Sequence, residues 1–161
     1  MRKVLLNIVA GLSLLPFASC DDGVVQQEVK EIPETGWEKE TPVEFEFSMQ
    51  DTTSLYEVVV DVRNKSSYMY QNLWLFIEAK NPKGEIYSDT IECILADNKG
   101  RWIGDGAGSF FSGEYRLPVS FMPQVLFGQP GDYKFSIYQG MREDVLLGLS
   151  DVGIRIRHVR E

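Results

Sequence analysis

The chain is short of the residues on which most catalytic machinery depends. Among 161 residues it has one histidine, His158, and two cysteines, Cys20 and Cys93. A single imidazole three residues from the C-terminus gives no well-placed base for a Ser-His-Asp triad or a cysteine–histidine pair. It also leaves no metal-ligand spacing to build on. There is no G-x-S-x-G elbow. In "GDGAG", Gly104, Gly106 and Gly108 are not spaced as G-x-G-x-x-G and no Lys-Ser/Thr pair follows, so a phosphate cradle is excluded. The same stretch and "DNKG" before it lack the alternating acids and distal glutamate of a calcium loop. With 24 acidic residues, no pair of carboxylates stands out as a glycosidase pair. The sequence therefore predicts a non-enzymatic protein without cofactor or metal. Basic residues are also scarce, 16 against 24 acidic, which argues against nucleic acid as a partner.

What is present begins at the N-terminus. Arg2 and Lys3 precede a mostly apolar run from Val4 to Leu15, Pro16 ends it, and small Ala18 and Ser19 stand directly before Cys20. The apolar run is too short to span a bilayer stably, and the layout is that of a secretory signal. With the cysteine at the cut, the pattern is a bacterial lipobox. Residues 1–19 are thus expected to be removed and Cys20 to carry fatty acyl groups, diacylglycerol and palmitate in kind, as an anchor on the cell envelope. Losing Arg2 and Lys3 and no acid takes the balance to 14 against 24, a net charge of −10. Cys93 is then the one remaining thiol, so no internal disulfide is expected and an apolar core must hold the fold. Its place between Ile91 and Leu95 at every second position marks it as a buried strand residue.

Residues 20–40 read as the acylated N-terminus and an acidic spacer, since "DDGVVQQEVKEIPETGWEKETP" is low in hydrophobicity and carries Pro33, Gly36 and Pro42. Trp37 is expected to dock on the edge of the domain. From 41 to 161 the pattern is that of strands. Val43, Phe45, Phe47 and Met49 alternate with polar residues, as do Tyr56, Val58, Val60 and Val62, with "QDTTS" between them as a hairpin connection. Leu73 to Ile77 is continuously apolar and suggests a central strand covered on both sides. Further strands are expected near Ile86–Leu95, through Tyr115 to Phe121, through Tyr133 to Ile137, and at Val152 to Ile156. "MREDVLLGLS" suggests a short helical turn. Seven or eight short strands with glycine and proline punctuation make an all-β domain, a single antiparallel β-sandwich of immunoglobulin-like or jelly-roll type.

Two aromatic groups are the candidate interaction surface. Trp102, Phe110 and Phe111 lie in the glycine-rich "ADNKGRWIGDGAGSFFSG", and Tyr68, Tyr70 and Trp74 lie in "SSYMYQNLW" beside Asn72. Glycines that permit tight turns, with aromatics folded back on the sandwich edge, are the plainer account of the first group. Exposed, either group would stack on a sugar ring or a partner protein.

The lipoprotein start, "VRN" followed by "YMYQNLWLFI", then "SDTIE", "LADNKGRWIGDGAG", "PGDYKFSIYQGMR" and "LLGLSDVGIRI" together resemble the GldH-type gliding motility lipoproteins of the Bacteroidota, from about Trp37 to Ile156. The stretches around Asn72-Leu73-Trp74, Gly100-Arg101-Trp102 and Met141-Arg142 carry most of the likeness. The resemblance implies a lipid-anchored envelope protein, expected at the outer membrane, that serves as an accessory part of a gliding or secretion assembly and binds other envelope proteins. It brings no catalytic residues. A glycan-binding surface lipoprotein is the alternative.

Overall fold

The structure, a computed structural model, describes residues 23–104 and 113–159. Cys20, Phe110 and Phe111 lie outside the described residues. Ten strands are assigned there: β1 (Val24–Glu31), β2 (Trp37–Glu38), β3 (Val43–Met49), β4 (Tyr56–Lys65), β5 (Asn72–Lys80), β6 (Ile86–Ile94), β7 (Glu114–Val125), β8 (Gly131–Gln139), β9 (Val145–Leu146) and β10 (Leu149–His158). They form two four-stranded sheets, β1-β10-β4-β7 and β3-β8-β5-β6, with β2 and β9 as a small third pair. Every pairing is antiparallel.

Setting the two short strands aside, the eight long ones pair from the outside in: first with last (β1 with β10), then β3 with β8, β4 with β7, and β5 with β6. A long hairpin rolled up in this way is a jelly roll. The sandwich expected from the sequence is therefore of the jelly-roll type. The alternating residues of the two sheets meet between them: Val58, Val60, Val62, Val152, Ile154 and Ile156 from one, Phe45, Leu75, Ile77, Phe135 and Ile137 from the other, all within 2% of full burial. Each contributes about 1.5–3 kcal/mol of apolar burial. Cys93 is buried among them, and burial pushes its thiol up to about 12.

Four expectations are corrected. The first concerns the segment 20–40: Val24–Glu31 is strand β1, paired with β10 from Val24↔Arg157 to Glu31↔Asp151, so the sandwich begins well before residue 41. Its low hydrophobicity belongs to an edge strand, whose inward positions are filled by Gln26 and Glu28 while Val25 and Val29 face solvent. Gln26 reaches across to the other sheet and donates to Ser48 O. Trp37 does dock, buried in the core with its indole N–H donated to Thr41 O at 2.9 Å.

Second, "QDTTS" does not join a hairpin. β3 and β4 belong to opposite sheets, and the connection is shaped by Asp51, whose Oδ1 accepts from Thr53 N and Thr53 Oγ1 at 2.8 Å each. Third, β5 is central in its sheet but covered on one side only: Leu73, Leu75 and Ile77 are buried, whereas Trp74 and Phe76 are 39% and 46% exposed. β4 is the strand buried on both faces. Fourth, no helical turn forms after Met141. Val145–Leu146 is extended as β9 and pairs with β2, Trp37 opposite Leu146.

The register also sorts the connections into two ends. At one end lie Gly23, the turn at 50–55, the turn at 81–85, the connection 126–130 and Val159. The far end gathers the segments 32–42, 66–71, 95–104 and 140–148. Ten-residue strands such as β4 and β10 separate the two ends by about 33 Å.

Candidate functional site

Most of the aromatic candidates meet at the far end, and the structure divides them by role. Tyr68 is buried, its hydroxyl donated to Asn72 O at 3.0 Å, and burial pushes its pKa up. Trp102 is held by a bridge to Ala96 and packs between Tyr68 and Tyr115, ring centroids 6.4 and 5.7 Å away. These two rings close the end of the sandwich, as the fold-back account of the glycine loop requires. Gly104 lets the chain approach β7: at φ 132°, a Cβ there would sit 2.5 Å from Arg116 O.

Trp74 is the one that faces outward, and half-buried Tyr70 lines a recess beside it. On the outer side of the β3-β8-β5-β6 sheet, Trp74 and Phe76 stand in line on β5, opposite Glu92 and Thr90 of β6. Tyr138 of β8 lies opposite Phe76, and exposed Ile94 lies opposite Asn72. Gly140, whose N–H is donated to Trp74 O at 2.7 Å, leaves the room these rings occupy. A Cβ at Gly140 would meet the Phe76 ring at 3.1 Å and Trp74 Cβ at 3.2 Å. Phe76 was missed because an unbroken apolar run carries no sign of which residues face out, and Tyr138, which the alternation of Tyr133, Phe135 and Ile137 places on the outer side of β8, was missed because it stands apart from both aromatic clusters in the sequence.

Beside this row is a recess of about 380 Å³ lined by Tyr70, Asn72, Trp74, Met141, Arg142 and Glu143. Its 140–143 wall is held from behind by Gln139, a fully buried amide that accepts from Met141 N at 2.8 Å and donates to Glu143 O at 2.7 Å. A buried amide with both ends satisfied fixes a loop in place. Tyr70 donates its hydroxyl to Glu143 Oε1; that hydrogen bond raises the Tyr70 pKa and lowers that of Glu143. Asn72 donates to Glu92 at 2.5 Å. The arrangement offers flat apolar rings bordered by an amide, carboxylates and a guanidinium, which suits binding by stacking and hydrogen bonding. Among the described residues, no group of three or more His, Cys, Asp or Glu is placed to hold a metal ion. His158 is an exposed strand-end residue stacked near Tyr56, ring centroids 4.8 Å apart.

The segments of the recess and the aromatic row fall within a match to the family model described as GldH lipoprotein, which spans residues 24–156. The chain belongs to the GldH lipoprotein family. A gliding motility lipoprotein GldH homolog of Christiangramia forsetii is 35% identical over 163 residues, covering 97% of each chain. The gliding motility lipoprotein GldH of Flavobacterium johnsoniae is 30% identical over 152 residues, 90% of this chain and 91% of its own. The family is thus named for lipoproteins and not for an enzyme. A solved family GH115 glucuronidase overlays 92% of this chain and 19% of its own at a TM-score of 0.43 and 14% identity, too loose a likeness to carry an argument.

Proposed function

We propose that this protein is an envelope lipoprotein, anchored through acylated Cys20, that acts as a non-enzymatic accessory component of a gliding- or secretion-linked assembly at the outer membrane. Its binding surface is the outer side of the β3-β8-β5-β6 sheet around Trp74 and Phe76, with the recess at Tyr70, Asn72 and Arg142 as the polar rim. The supporting observation is the exposure of two large aromatics in line on one face of β5, in a family whose relatives bear the name of gliding motility. Exposed aromatics with a polar border have the composition of a protein-interface core. Two-dimensional confinement by the anchor raises the partner's effective concentration, so a modest interface suffices.

In-cell crosslinking from a photoreactive residue at Glu78, next to Phe76 on the same face, tests this. Mass spectrometry is expected to recover envelope proteins. A probe at Arg63 on the opposite sheet is expected to recover far fewer. Equal yields from both faces would sink the assignment of the surface. The second reading, a glycan partner, is favoured by the amide and guanidinium beside Trp74. It predicts that the soluble domain is retained on a glycan array and that Trp74→Ala abolishes retention. Trp102→Ala, the substitution the sequence alone would have chosen, removes a packing residue instead.

A further inference from the structure

The recess beside Trp74 lies at the far end of the molecule, and the link from Cys20 enters at the other end and is short. Because β1 starts at Val24, only Asp21, Asp22 and Gly23 separate Cys20 from the folded sandwich. Three residues span at most about 11 Å when fully extended. The sandwich itself is about 33 Å long. Such a link keeps this end of the domain within about 11 Å of the anchor, and it leaves from a defined place.

That place is set by the register. His158 N donates to Gly23 O at 2.9 Å, and Val159 N donates to Leu55 O at 3.1 Å. His158 lies opposite Tyr56, and Tyr56 lies opposite Val125. Gly23, Val159, Leu55 and Leu126 therefore follow one another along a single end of the β1-β10-β4-β7 sheet. Leu55 and Leu126 are 45% and 53% exposed there. An apolar cleft of about 450 Å³, walled by Ile86, Tyr87, Met122 and Phe127, opens beside Leu126. Charges of both signs surround them, with Asp51, Lys83, Glu85 and Asp132 in the adjoining turns and strand ends. Among the described residues, Arg157 is paired with Glu57 and no basic cluster gathers at this end to favour anionic lipid.

Accepting that Cys20 is acylated, we infer that this end of the sandwich docks directly on the bilayer surface, with Leu55 and Leu126 in the interfacial region, and that the molecule stands with Tyr70, Trp74 and Arg142 facing away from the membrane. The three tryptophans give a built-in test. Trp37, Trp74 and Trp102 all lie in the far half of the domain, two of them in the connections of the far end and Trp74 two residues from the start of β5.

The acylated full-length product is reconstituted in zwitterionic phosphatidylcholine vesicles with brominated acyl chains, and flotation is scored before fluorescence. The native protein is expected to float and to keep its tryptophan emission. A Leu126→Trp variant is expected to float and to lose the emission added by the new indole, and Leu55→Trp, at a second exposed site, is expected to do the same. Flotation with native emission quenched, or with both added indoles unquenched, overturns the orientation while leaving the anchor intact. Failure of the acylated preparation to float overturns the anchoring reading and the docking with it.

Discussion

The two outer faces of the sandwich are built from the same strand geometry and use it in opposite ways. On the β1-β10-β4-β7 sheet, Asp61 is nearly buried between Arg116 and Arg155, each 3.0 Å away. Arg63 pairs with Asp151 at 3.2 Å, and Arg157 with Glu57 at 2.7 Å. Charges there are matched within the molecule, and their long side chains cover β4, leaving Val59 only 3% exposed on the outer side. On the other sheet, Trp74 and Phe76 are left open. The first face pairs its charges internally, with Arg155 Nε left without a hydrogen bond, and the second has apolar surface to give to a partner. A flat apolar row on a monomer surface is the feature that signals binding, whereas a neutralised ion-pair lattice does not.

The largest expected effect breaks the ion-paired face. Asp61→Ala leaves two guanidinium groups without their shared carboxylate in a site where Asp61 is 3% exposed. Removing one partner of a buried ion pair costs about 3–5 kcal/mol. Because Arg116 is partly in water, with 37% of its side chain exposed, the lower end of that range is expected. Urea denaturation of the soluble domain measures it, and a loss under about 1 kcal/mol would mean that the lattice is ordinary surface charge.

The second effect separates stability from binding on the open face. Trp74→Ala is expected to leave the urea midpoint within the range of ordinary surface substitutions, about 0.5 kcal/mol, and to cost about 2 kcal/mol or more of partner binding, as a central aromatic anchor does. Trp102→Ala should do the reverse. It is packed against Tyr68 and Tyr115 and partly buried, so its removal strips packing from the far end and costs about 2 kcal/mol of stability. If both variants lose only stability, the open face is not an interface. If both lose only binding, Trp102 takes part in the surface.

That contrast also shows where the sequence was legible. Period-two alternation located β3 to the residue and gave the inward residues of β4, β8 and β10, because each of those strands has one face in a common core. It failed where a strand has little apolar surface to hide or too much. β1 fills its inward positions with the stems of Gln26 and Glu28, and Lys30 Nζ lies 5.4 Å from the Phe45 ring centre, so hydropathy alone makes it look like a leash. β5 is apolar on both sides, and only pairing shows that Trp74 and Phe76 face out. Local pattern does not tell a hairpin from a crossing between sheets either: "QDTTS" has the turn chemistry of Asp51 in both cases. Of the four described aromatic candidates, Trp74 belongs to the open surface, Tyr70 lines the recess beside it, Tyr68 packs against Tyr70, and Trp102 packs between Tyr68 and Tyr115.

The smallest effect is a difference in sign between the faces as pH falls. Glu143, beside the open face, has its pKa lowered by the Tyr70 hydroxyl. A carboxylate held below its unfolded value contributes stability that is present above that value, about 4.3, and is lost as pH drops through the lower folded one. Asp151, in the lattice, is shifted the other way: burial raises its pKa against the pull of Arg63. Its contribution is present below the unfolded value, about 3.9, and is lost as pH rises through the folded one. Acidification should therefore loosen the 139–143 wall of the recess while easing the burial of Asp151. Side-chain carboxyl NMR shifts followed through the titration separate the two. Asp151 is expected to titrate above an ordinary aspartate and Glu143 below an ordinary glutamate, with the Tyr70 ring resonance moving together with Glu143. A Glu143 that titrates normally would mean that the hydroxyl contact does not hold the recess, and the polar rim of the open face would then be set by Gln139 and by the Asn72–Glu92 hydrogen bond.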